Sequence, residues 1–129
     1  MQDPQREHTA RLGDTQRAIS RSVVTVFKEH LGRGPIKAKT YLHDDSVLVL
    51  MFNGHTVAED TLGAGGEQKA VASQRVKASE AIRSRLTSIV EAETGRKVIG
   101  FMSSSQQDPS LLSLVFVLES SDLIPPDDA

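Results

Sequence analysis

The chain has 129 residues, 38% hydrophobic and 25% charged, which suits one globular domain with a real core and leaves no room for a separate second one. It contains no Cys, which excludes a disulfide framework, a thiolate zinc site and a cysteine nucleophile, and its formal net charge of -2 argues against a general polyanion binder. No apolar run reaches the roughly 20 residues needed to cross a bilayer and no apolar signal segment opens the sequence, so the expectation is a cytoplasmic protein.

Residues 1–13 are polar, with Pro4 and Gly13, and are expected to form a flexible tail. Asp14 is the expected N-cap of a first helix, whose stripe carries Ala18, Ile19, Val23, Val26, Phe27, His30 and Leu31 at helical spacing. Gly32 and Pro35 end it. Residues 36–43 alternate, with Ile36, Ala38, Thr40 and Leu42 on one face and Lys37, Lys39, Tyr41 and His43 on the other. After an Asp44-Asp45 turn, residues 46–53 form a nearly continuous apolar strand.

Thr56 to Glu59 reads as a capping box for a short helix to about Leu62. A longer helix resumes near Glu67, after Gly63-Ala64-Gly65-Gly66, with Val71, Ala78, Ile82, Leu86, Ile89 and Val90 inward, and Gly95 stops it. Residues 97–103 and 111–119 form a second hairpin with Asp108-Pro109 as its turn signal. Residues 120–129, with Pro125-Pro126 and several acids, read as an acidic disordered tail.

This order contains one motif twice. Gly32-Arg33 leads to Ser46 and an apolar run ending at Phe52, and Gly95-Arg96 leads to Ser110 and a similar run ending at Phe116. Arg33 to Ser46 is 13 positions and Arg96 to Ser110 is 14, which places a one-residue difference in the hairpin connection. The prediction is an α+β fold, with two α-β-β units forming one four-stranded, mainly antiparallel sheet packed with helices as a two-layer sandwich over residues 14–119.

No constellation in the sequence carries chemistry. The four histidines never stand at metal-ligand spacing, the glycine-rich stretch at 63–66 fails both phosphate-binding patterns and reads as a hinge, and the serines at 103–105 lack a base. No metal, cofactor or enzymatic activity is therefore expected. Lys37, Lys39, Tyr41 and His43 share a strand face, while Arg75, Lys77, Arg83, Arg85, Arg96 and Lys97 decorate the long helix and its exit. The plain reading of these cations is a solvated surface; the sharper one is a basic patch for an acidic protein loop, an anionic lipid surface or RNA. With aromatic residues at only 4%, base-stacking platforms are scarce. The apolar second strand predicts a homodimer through whichever sheet face the helices leave uncovered.

The string Gly32-Arg33-Gly34-Pro35-Ile36-Lys37-Ala38-Lys39-Thr40-Tyr41 is followed by Val47-Leu48-Val49-Leu50, by Gly54-His55-Thr56, by Thr94-Gly95-Arg96 and by Phe116-Val117-Leu118-Glu119. Together these resemble the MpsC-like domain, named for a component of a bacterial sodium-translocating, membrane-potential-generating system linked to inorganic carbon supply. Members often carry Ser-Asp after the third strand, where this chain has Ser103-Ser104. The resemblance implies a non-enzymatic accessory or interaction domain, cytoplasmic or peripheral at the inner face of the membrane, serving an ion- or inorganic-carbon-transport protein. Its partner-binding residues are expected to be Arg33, Lys37, Lys39, Tyr41 and Arg75, with Gly32, Gly34, Pro35 and Gly95 structural. The alternative function is a nucleic-acid or anionic-ligand binding regulator using the same basic face.

Overall fold

A computed structural model describes residues 4–31, 35–53 and 76–120. The capping box at 56–59 and the glycine-rich stretch at 63–66 lie outside them. The described elements are α1 (Pro4–Leu31), β1 (Pro35–His43), β2 (Ser46–Asn53), α2 (Arg83–Thr94), β3 (Val98–Gln106) and β4 (Leu111–Leu118). Helix α1 starts at Pro4 rather than at Asp14. A proline fits the first helical position because that N–H has no intrahelical partner. Asp14 lies on the exposed side of α1, paired with Arg17 one turn on. His30, expected on the apolar stripe, is exposed: it stands in the last turn, where basic side chains meet the negative end of the helix dipole.

Residues 76–81 are helical too, and join α2 through a turn at Ile82. Gly95 closes α2 at φ 69°, and its N–H donates to the Glu91 carbonyl at 2.9 Å. That left-handed conformation costs a side-chain-bearing residue steric strain, which is why the sequence has glycine there.

The four strands form one antiparallel sheet in the order β1-β2-β4-β3. Two hairpins meet through their second strands, so the order reads the same when the α-β-β units are exchanged. The inward rows across the sheet are Ala38-Met51-Leu112-Ser105, Thr40-Val49-Leu114-Ser103 and Leu42-Val47-Phe116-Phe101. Against them pack Ile19, Val23, Val26 and Phe27 of α1 and Ile82, Leu86 and Val90 of the second helical stretch, forming a single core. Ile19, Val23 and Phe27 correspond to Ile82, Leu86 and Val90 at one constant spacing, the same one that separates Gly32 from Gly95.

The strand correspondence differs from the one-residue offset expected from the sequence. The first turn has two residues, Asp44 and Asp45, and the second connection has four, Gln107 to Ser110. Ser46 therefore corresponds to Leu111, not to Ser110, and Val47 to Leu112. Because side chains alternate faces, a one-residue slip would have turned the inward set outward. Val47 and Leu112 are both buried, whereas Leu111 is half-buried on the opposite face.

Two polar pairs enter this core, at equivalent strand positions but with helix partners one turn apart in the two units. Ser20 Oγ lies 2.7 Å from Thr40 Oγ1, and Ser79 Oγ lies 2.8 Å from Ser103 Oγ, so each edge strand is tied to its helix by a satisfied hydroxyl pair. Ser103 and Ser104 stand within β3, not after it.

Candidate functional site: the open face of the sheet

All described helices cover one side of the sheet, and the opposite side carries the residues of the other parity. Its rows are His43-Ser46-Val117-Gly100, Tyr41-Leu48-Val115-Met102, Lys39-Leu50-Ser113-Ser104 and Lys37-Phe52-Leu111-Gln106. Of the two sets left open by the sequence, Val47, Val49 and Met51 are the core, and Leu48, Leu50 and Phe52 lie on the open face. Tyr41 is 43% exposed, Phe52 41% and Met102 57%. Large apolar side chains are thus exposed on three of the four strands of this face.

Charge is distributed unevenly over this face. Lys37 and Lys39 stand along β1 at one rim, the centre on β2 and β4 is apolar with Ser113 as its polar break, and the β3 rim carries Met102, Ser104 and Gln106 without charge. Lys39 Nζ lies 5.4 Å from the centre of the Tyr41 ring, a cation–π contact that orders the rim without neutralising it. Lys37, Lys39 and Tyr41 are thus brought together as expected from their alternation; Arg33 and Arg75 lie outside the described residues.

Arg96, expected only as a surface charge, has a structural role. Its guanidinium donates to the Asp44 carbonyl at 2.8 Å, to the Asp45 carboxylate and to the Glu119 carbonyl at 3.1 Å. It ties the first hairpin's turn to the end of β4, and Asp44 has a positive φ of 51° in that turn. The hydrogen bond from Arg96 holds the Asp45 carboxyl below the usual carboxylate value. Glu91 is also engaged, accepting the Val98 N–H at 2.8 Å. Arg85 bridges α2 to Glu29 of α1 at 2.7 Å, and Arg83 lies over the Phe101 ring at 5.4 Å. No signal in sequence spacing distinguishes these tied cations from Lys37 and Lys39 on β1, because their partners come from distant segments.

Among the described residues no group of three or more His, Asp or Glu side chains gathers as a metal site, and no helix is long and apolar enough to cross a membrane. A family model described as the Na+-translocating membrane potential-generating system (MpsC) matches residues 12–120, which spans both hairpins and their helices. The chain belongs to the MpsC family. No curated protein and no solved structure matches it. The open face is therefore a feature of an MpsC-family domain, and Ser104 shares a row with Lys39 on it.

Proposed function

We propose that this MpsC-family chain is a non-enzymatic accessory component of a sodium-translocating, membrane-potential-generating system linked to inorganic carbon supply. It would act in the cytoplasm at the inner face of the membrane, held by other proteins rather than by a membrane span of its own. The observation that carries this reading is the open sheet face, with its apolar centre and its basic rim of Lys37 and Lys39 beside Tyr41.

The apolar centre suits a second copy of the chain. A two-fold axis running along the strands sets β1 of one copy over β3 of the other, which keeps Lys37 and Lys39 apart from their own copies. An axis across the strands would set β1 over β1 and bring the lysines of both copies to the same edge. The basic rim then stays at the border of the dimer, where an acidic segment of a membrane protein can reach it, together with Arg33 and Arg75 in the proposed partner-binding set.

The test is affinity capture of the tagged full chain from its native cells with mass spectrometry of what accompanies it. Membrane subunits of an ion- or inorganic-carbon-transport system should be enriched, and Lys37→Glu with Lys39→Glu should deplete them. Enrichment of ribonucleoprotein instead, with a salt-sensitive shift of RNA in a gel, would replace this reading by the nucleic-acid one.

A further inference from the structure

Between α1 and the outer edge of β1 runs a cleft of about 630 Å³, lined by Gln16, Arg17, Arg21 and Val24 of the helix and by Ala38 and Thr40 of the strand. Among the described strands β1 ends the sheet, so one of its sides has no neighbour among them. Leu42 shows which groups lie on that side. Its N–H donates to Gln16 Oε1 at 2.8 Å, away from β2. In an antiparallel strand the N–H and C=O of one residue point the same way and the direction alternates along the chain, so Ala38 and Thr40 also aim theirs toward the cleft. The Thr40 hydroxyl is engaged with Ser20 below.

Cations flank this edge on both sides. Arg17 and Arg21 line it from α1, while Lys37 and Lys39 rise from β1 on the open face. Among the described residues, Arg21 has no ion pair, and Arg17 has only an exposed one with Asp14, which water and salt weaken. No acid is among the described residues lining the cleft.

A strand added here would place alternate side chains above and below the sheet, toward a cation either way. A second copy of β1 would set its own lysines against these, and like charges opposite one another repel. We propose that the β1 edge takes an acidic, extended polypeptide segment of a partner protein as a fifth strand. Its backbone pairs with Ala38 and Thr40, and its carboxylates meet Arg17 and Arg21 on one side and Lys37 and Lys39 on the other. This rests on the reading of β1 as the rim that meets an acidic partner and adds how that partner is held.

The experiment uses the full chain and a fluorescent seven-residue peptide, Glu-Glu-Glu-Val-Glu-Glu-Glu, which carries carboxylates on both faces of the added strand, with fluorescence anisotropy as readout. Two variants accompany it, one with the central Val replaced by Pro at unchanged charge and one with Gln for every Glu. The acidic peptide should bind, slow amide exchange at Ala38 and Thr40, and lose about tenfold in affinity with either peptide variant, with Arg21→Glu or with Lys39→Glu. Equal binding of the Pro variant would overturn strand addition and leave the acidic-partner reading standing. No binding of the acidic peptide would overturn both. Binding indifferent to Arg21→Glu and Lys39→Glu would overturn the assignment to this edge.

Discussion

Replacing Phe52 by Ser tests whether the open face is the dimer surface. Phe52 is 41% exposed, and a full aromatic side chain presents roughly 200 Å², so about 80 Å² of it awaits cover. At about 25 cal/mol per Å², this area is worth about 2 kcal/mol. A two-fold dimer contains the residue twice, so the loss doubles to about 4 kcal/mol, or roughly a thousandfold in dissociation constant. That figure is a ceiling, since association also costs translational freedom and part of the ring can stay wet. Sedimentation equilibrium between about 1 and 100 μM should show a dimer for the natural chain and a monomer for Phe52→Ser. The monomer should keep its thermal midpoint at equal concentration of folded monomer, because the ring lies outside the core. A natural chain that stays monomeric across this range, or a variant that dimerises equally well, would refute the reasoning.

Three further outcomes follow from the fold. Leu114→Ala removes a fully buried side chain from the central inward row and should cost about 3 kcal/mol in urea unfolding; a loss under about 1 kcal/mol would mean that the core is packed otherwise. Gly95→Ala meets no atom within 4 Å but must hold φ 69°, so it should destabilise by about 1 kcal/mol through backbone strain alone, and Gly95→Asn by less. The Asp45 carboxyl is held low by Arg96, so the folded state keeps it ionised where the unfolded chain binds a proton; stability from this group is present above the unfolded value and is lost as pH falls through the folded one. Denaturation followed from pH 6 downward should therefore show a steeper loss below about pH 4 for the natural chain than for Asp45→Asn, and parallel curves would remove Arg96 as its cause.

The candidate surface divides between what neighbours in sequence share and what distant segments bring. Lys37, Lys39 and Tyr41 were legible as one group because alternation along a single strand puts them on one side whatever the strand packs against. Arg96 was not, since its partners Asp44, Asp45 and Glu119 belong to the other hairpin and to the end of β4. Arg17 and Arg21 joined the picture only when α1 was laid beside the β1 edge.

By itself the sequence determined the periodicities: two helical stripes, four strands, the glycine that closes α2, and the doubled unit that pairs them. These are local, set by backbone sterics and by spacing along the chain. Tertiary structure alone decided that β2 and β4 lie side by side, that the second connection is longer by two residues, and that Leu48, Leu50 and Phe52 rather than Val47, Val49 and Met51 stay uncovered. A strand apolar on both faces carries no mark of which face is inward. The helices choose it, by packing where both hairpins can present buried side chains in register to a single core.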